Sequence, residues 1–240
     1  MIHIFNDIPA LNTAVAEFFI NTAIEAIEKR DRFTVALTGG SSPAGLYQLL
    51  TTSPYSEQIS WEKVFVFWGD ERWVPLDDGK SNAKMAFETL LNQVPIPKEQ
   101  IFPMWNGQRD PAQYAEEYEQ LIRQHLGLEG SFDLILLGMG DDGHTASLFP
   151  GTEVLQETSK WVDAYYLKAQ EMYRITLTAP LINQAYRIAF IAYGQNKAHA
   201  LKEVLQGERN IQLYPAQLIR PTQGEANWFV DEAAAALLEK

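Results

Sequence analysis

Four stretches of the chain are apolar over strand length and show no alternation: Phe33–Leu37 (FTVAL), Val64–Trp68 (VFVFW), Asp133–Leu137 (DLILL) and Arg187–Tyr193 (RIAFIAY). Runs of this kind predict strands buried on both faces, as in a parallel sheet covered by helices. Helical patterns fill the gaps. Asn6 or Asp7 caps a helix that has Pro9 in its first turn and Leu11, Val15, Phe18, Phe19 and Thr22 along one face. Further helices are predicted over Ala44–Leu50, over Ser81–Leu91, over Pro111–Leu126 behind Asp110 as cap, and over Ala198–Leu205. Weaker patterns predict short strands at Met1–Phe5 and Ile101–Trp105. Alternation over Tyr173–Thr178 predicts a strand with Arg174 at its start, and Asn227–Val230 predicts a strand followed by a closing helix over Asp231–Leu238. Strands alternate with helices almost throughout, with no repeat, low-complexity tract or flexible linker between them. The expectation is one domain spanning residues 1–240, of α/β class: a doubly wound, mainly parallel open sheet with helices on both faces, Rossmann-like.

Polar loops follow the buried strands, at the carboxyl ends where an open α/β sheet places its ligands. The central one, GMGDDGHTASLFP from Gly138 to Pro150, satisfies G-x-G-x-x-G through Gly138, Gly140 and Gly143. A dinucleotide site would need a helix directly behind that pattern. Here His144-Thr145-Ala146-Ser147 runs into Pro150-Gly151 and leaves no room for one. The chemistry then rests on Asp142 and His144: a carboxylate beside an imidazole fixes its tautomer and supports it as a general base. The alternative is an Asp that caps a turn beside a solvated histidine.

The loop Thr38-Gly39-Gly40-Ser41-Ser42-Pro43 joins a strand to a helix and has the makings of an anion cradle, because glycines let the backbone approach and its N–H groups point outward. It lacks the Gly-Lys-Ser/Thr of a Walker loop. A plain turn that uses glycine for its φ angles is the alternative. In Gly69-Asp70-Glu71-Arg72-Trp73, Asp70 and Arg72 either form a structural ion-pair knot or face a ligand. Lys197 sits in the first turn of a helix, where a cation is poorly placed for the dipole unless an anion binds nearby. An exposed helix lysine is the alternative there, as a surface charge is for Arg174.

Composition narrows the function. The 240 residues carry a formal net charge of −12, which gives the wrong sign of long-range attraction for nucleic acid or an anionic membrane. An anionic substrate must therefore be held by a few local cations. With no cysteine there is no disulfide, thiolate nucleophile or thiolate metal site. The sequence MIHIFNDIPALN has no basic, apolar targeting pattern, and no apolar run approaches the roughly 20 residues of a membrane helix. A cytoplasmic location is expected.

The quoted motifs, LTGGSSP, WGDERWVP followed by SN, GMGDDGHTASLFPG, RITLT, GQNKA and PAQLIRP…NWFVDEAAAAL, extend over nearly the whole chain. They resemble the 6-phosphogluconolactonases, members of a superfamily that includes glucosamine-6-phosphate deaminase. Ser42 stands where threonine is more usual, which keeps the hydroxyl. The resemblance implies hydrolysis of 6-phospho-D-glucono-1,5-lactone to 6-phosphogluconate in the oxidative pentose phosphate pathway, with no metal or organic cofactor. It implies His144 as general base oriented by Asp142. Gly40, Ser41, Ser42, Arg174 and Lys197 would hold the phosphate, while Gly39, Arg72 and Gly140 meet the substrate. Asp70 aligns with the proton-abstracting acid of the deaminases and is counted with the catalytic residues. Deaminases read roughly GHIAFNEP where this chain reads GHTASLFP, which puts an acid where Phe149 stands. The partner expected is a phosphorylated sugar lactone, bound by a monomer, with a dimer as the alternative. A sugar-phosphate isomerase or deaminase and a non-catalytic sugar-phosphate sensor are the competing readings.

Overall fold

The structure, a computed structural model, describes residues 1–127 and 130–239. In chain order its elements are β1 (Ile2–Phe5), α1 (Ile8–Arg30), β2 (Phe33–Leu37), α2 (Ala44–Leu50), β3 (Val64–Trp68), β4 (Asp70–Arg72) and α3 (Asn82–Ala86), which continues as a π-helical turn over Phe87–Leu91. Then come α4 (Pro111–Leu126), β5 (Leu134–Gly138), β6 (Val162–Leu167), β7 (Met172–Leu177), α5 (Ala179–Ile182), β8 (Arg187–Ala192), α6 (Ala198–Gln206) and β9 (Glu225–Asp231).

Helix starts are set by local chemistry. Asp7 Oδ1 accepts the Ala10 N–H at 2.7 Å to open α1, and Asp110 Oδ1 accepts the Gln113 N–H at 3.0 Å to open α4. Ser81 Oγ does the same for α3, assisted by the Glu71 carboxylate of β4, which accepts the N–H groups of Asn82 and Ala83.

Six strands form an all-parallel sheet in the order β1–β9–β8–β5–β2–β3. β2 and β5 are neighbours, yet the chain leaves β2 on the side of β3 and returns on the other. The crevice between their carboxyl ends is thus a topological switch point, the place where such sheets bind ligands. Every side chain of β2 is buried, as the run FTVAL predicts.

Alternation along β3 sends Phe65 and Phe67 toward α4, where they meet His125 and Tyr118, and sends Trp68 to the opposite face against Phe87. Phe33, in register with Val64 and so on the Trp68 face, packs edge-on against Phe19 of α1 at 5.2 Å. Helices therefore cover both faces.

A second, antiparallel sheet of order β4–β7–β6 stands beside the first, and one contiguous hydrophobic core joins the two. The sequence pattern does not predict it. Asp70–Arg72, expected as loop, is a strand because β7 pairs with it, Arg72 opposite Arg174. Arg174 lies within β7 rather than at its start. β6, which is only partly buried between its ends, has no clean period to announce it. Two expected elements do not form. Ile101–Trp105 contributes only a single bridge from Ile101 to Val66, since Pro103 has no N–H to extend a ladder. Asp231–Leu238 makes turns instead of a helix, because β9 runs on to Asp231, whose carboxylate accepts the N–H groups of Gly194 and Ala234. The seven residues left to 238 are too few to hold a helix without tertiary support.

Candidate active site

The loops after β2, β3, β5 and β8 meet at one rim of the parallel sheet, around a cleft of ≈ 190 Å³. Its walls include Gly39, Gly40, Ser41, Ser42, Asp70, Arg72, Gly140, His144, Arg174 and Lys197, ten of the eleven residues singled out from the sequence. The eleventh, Asp142, stands directly behind His144. Thr38, Asn82, Gly138, Met139 and Ala146 complete the wall; Thr38 and Gly138 lie in loops expected at this rim, but none of the five carries an assigned role from the sequence. Asn82 had a signal, the SN pair after GDER, but nothing in that pair says what the amide touches.

On the β2 side, Gly40 takes a left-handed φ of 82°, which turns the loop so that its backbone lines the cleft. Among the described residues, no oxygen accepts the N–H groups of Gly39, Gly40, Ser41 or Ser42. Four free donors in succession form a nest suited to an anion. Gly39 packs against the Asn82 side chain, and a Cβ at this position would overlap the amide. Asn82 is itself buried, its Nδ2 donating to the Asp70 carbonyl at 2.9 Å and to Asp70 Oδ1 at 3.3 Å.

On the β5 side, the loop folds back upon itself. Gly140 N–H donates to the His144 carbonyl at 2.8 Å, Gly143 N–H to the Gly140 carbonyl, and Thr145 Oγ1 to the Gly138 carbonyl. His144 Nδ1 lies 2.6 Å from Asp142 Oδ1, which also accepts the His144 backbone N–H at 3.0 Å. With Nδ1 engaged, the Nε2 edge of the imidazole is the one left to act on a ligand. Partial burial opposes ionisation of Asp142, but the His144 side chain outweighs it and holds the carboxyl below its usual range. Gly140 contributes by its bareness, because a Cβ there would collide with the His144 ring and the Asp142 carboxylate. Its own N–H, committed to His144, is not free for a substrate oxygen.

The cations differ in how far they are already committed. Arg174 is buried, donating through Nε to Ser147 Oγ at 2.8 Å, through Nη1 to Gln170 at 3.0 Å and through Nη2 to Asp70 Oδ2 at 2.8 Å. It is therefore no surface charge, and it reaches the cleft as part of a buried network. Ser147 Oγ donates to the same Asp70 oxygen at 2.6 Å. Complete burial works against the Asp70 charge, yet Arg174, Arg72 and the Ser147 hydroxyl keep its carboxyl below the usual range. Asp70 is thereby fixed as an anion and poorly suited to trade protons. Arg72 donates Nη1 to the Lys80 carbonyl at 2.7 Å, and its Nε has no partner among the described residues. Lys197 enters no salt bridge among the described residues.

An oriented imidazole, a nest of free N–H groups and three cations around one cleft can bind a phosphorylated molecule and move a proton at its far end. The sequence profile of the glucosamine-6-phosphate isomerases/6-phosphogluconolactonase family matches residues 6–228. The chain is 43% identical to a 6-phosphogluconolactonase of Synechocystis, covering 88% of this chain and 86% of that one. A 6-phosphogluconolactonase of Nostoc is 38% identical over 99% of this chain and 98% of its own. Among solved structures, the 6-phosphogluconolactonase of Trypanosoma brucei superposes with a TM-score of 0.86 at 26% identity, covering 100% of this chain and 98% of that one. A match spanning residues 6–228, on a cleft of this composition, places the chain in the glucosamine-6-phosphate isomerase/6-phosphogluconolactonase family.

Proposed function

We propose that the chain is a 6-phosphogluconolactonase, hydrolysing 6-phospho-D-glucono-1,5-lactone to 6-phosphogluconate in the pentose phosphate pathway. The observation that carries this reading is the pairing of the Asp142–His144 dyad with the open N–H nest of Gly39–Ser42 across one cleft. The relatives' names support it. The phosphate rests on the nest, with Lys197 and Arg72 as its cations. Arg174 contributes through whichever donors Asp70, Ser147 and Gln170 leave free.

His144 takes a proton from water through Nε2 as the water oxygen bonds to the lactone carbonyl carbon, and Asp142 steadies the imidazolium that forms. The tetrahedral intermediate collapses by breaking the bond from that carbon to the ring oxygen. The imidazolium returns its proton to this departing oxygen, and the product is a carboxylic acid with a free hydroxyl. A lactone needs no covalent nucleophile, so one histidine serves both transfers.

Phe149 carries no proton, and Asp70 is locked in its ion pair, which disfavours the sugar-phosphate isomerase or deaminase alternative. A monomer in the cytosol completes the reading, although rice relatives are named as chloroplastic. Among the described residues no helix is long and apolar enough to cross a membrane.

The test is proton release on adding fresh phosphogluconolactone, corrected for spontaneous hydrolysis, beside an ammonia assay with glucosamine 6-phosphate. Rapid acid release without ammonia is expected, and His144→Ala should slow it by about 10² to 10⁴. Ammonia release without lactone turnover would overturn the reading.

A further inference from the structure

Phe149 is a large side chain, 7% exposed, that does not belong to the hydrophobic core joining the two sheets. Its ring instead lies on the His144 imidazole, with centroids 4.0 Å apart and planes inclined by 22°. The Arg174 guanidinium is 5.4 Å from the centroid of the same ring. The chain takes an unusual path to bring residue 149 over residue 144. Ala146 adopts a left-handed φ of 47°, and the turn is pinned by the Leu148 N–H on the Thr145 carbonyl at 2.9 Å. A non-glycine residue in that region is strained, and such strain persists where a site requires the geometry.

A single side-chain hydrogen bond restrains the imidazole only softly. Asp142 holds the ring through one contact at Nδ1, so rotation about Cβ–Cγ that swings Nε2 away from the cleft is opposed on this side only by the bending and stretching of that bond. A flat surface against the ring face stiffens the imidazole against that motion, and Phe149 supplies one. We propose that Phe149 is a positioning residue for the reaction, holding His144 so that Nε2 stays aimed at the water it activates. This rests on the lactonase reading. It assigns to the apolar side chain a share of the turnover that the polar groups of the site do not supply.

Three variants test it: Phe149→Tyr keeps the flat ring, Phe149→Leu removes it, and Phe149→Met keeps the bulk without the plane. An aromatic stack of ordinary strength corresponds to a loss of about three- to tenfold in kcat for the leucine and methionine variants. KM should change much less than kcat, because the N–H nest of Gly39–Ser42 is untouched, and tyrosine should restore kcat to near the wild-type value. Rates are referred to folded protein, quantified by circular dichroism. Should the leucine variant lose its fold, the methionine variant carries the same comparison. Wild-type kcat in the variant lacking the ring, or a tyrosine variant as slow as leucine, would overturn the proposal. Absence of lactone turnover in the wild-type protein would instead remove the functional reading on which it stands.

Discussion

Arg174 Nη2 lies 2.8 Å from Asp70 Oδ2, with both side chains almost fully shielded from solvent, in an ion pair that ties β7 to β4 beside the cleft. Removing one partner of such a pair strands a buried charge and costs about 3–5 kcal/mol. Arg174→Ala should therefore lower the urea midpoint severely, and replacing both residues by apolar ones of similar volume should cost less than either single change. The sign with pH follows from the lowered Asp70 pKa. A carboxyl depressed in the fold adds stability above its ordinary value of 3.8 that is lost as the pH falls through the folded value. The gap between wild type and Arg174→Ala should accordingly narrow in acid, and a gap independent of pH would contradict the pairing.

Much of this cleft was legible in the sequence because buried parallel strands announce themselves as apolar runs. The polar residues that follow FTVAL, VFVFW, DLILL and RIAFIAY must then share a rim. His144 and Asp142 were legible for a local reason, being two residues apart in one loop. The small antiparallel sheet was not, since Asp70–Arg72 is a strand only by virtue of β7, about a hundred residues later. For the same reason the sequence offered Arg174 as a surface charge or a phosphate ligand, whereas its nearest partners are protein groups. The stack of Phe149 on His144 depends on a left-handed alanine, and no residue pattern predicts that.

Lys197 separates phosphate recognition from catalysis more cleanly than Arg174, because among the described residues it supports no salt bridge whose loss would disturb the fold. A charge-assisted hydrogen bond of about 1.5–3 kcal/mol corresponds to roughly 10- to 100-fold in binding. Lys197→Ala should raise KM for the phosphorylated lactone by that factor and leave thermal stability unchanged. For gluconolactone without the phosphate the effect should be slight. Equal effects on both lactones would remove Lys197 from the phosphate site.

Away from the cleft, the His125 ring of α4 sits among Phe65, Phe67 and Phe102, with centroids 5.7, 5.8 and 4.6 Å away. Burial, and secondarily the charge of Arg32, pushes its pKa below the ordinary 6.5. The unfolded chain then binds the proton more readily, so the stabilising effect is complete above 6.5 and is lost as the pH falls through the folded value. Glu25, brought down to about 2 by Lys29 and Arg187, and Glu157, brought down to about 2 by the Lys160 and Ser159 N–H groups, titrate outside this window. His125→Phe should flatten the fall of the urea midpoint between about pH 7 and 5. An unchanged slope would show that the acid limb originates elsewhere.

Gly39 offers the sharpest geometric test, because a methyl group there would overlap Oδ1, Cγ and Nδ2 of a single neighbour, Asn82. A flexible side chain could step aside at little cost, but this amide is buried and held by two bonds to Asp70. Two acceptors on one side also fix which end of the amide faces them, so its oxygen is left against Gly39 with no partner among the described residues. Gly39→Ala must then either break the Asn82–Asp70 bonds or displace the glycine loop, and either movement spoils the nest. No left-handed φ is involved at this position, so backbone strain makes no contribution. The expected result is a raised KM and a stability loss of about 1–3 kcal/mol, the usual cost of overpacking. Asn82→Ala removes all three clashing atoms, and in that background the further change Gly39→Ala should cost much less than it does alone. Residues in direct contact are expected to couple in this way, by about 0.5–3 kcal/mol. Strict additivity of the two substitutions, measured by urea unfolding and by KM, would show that the loop and the amide do not constrain each other.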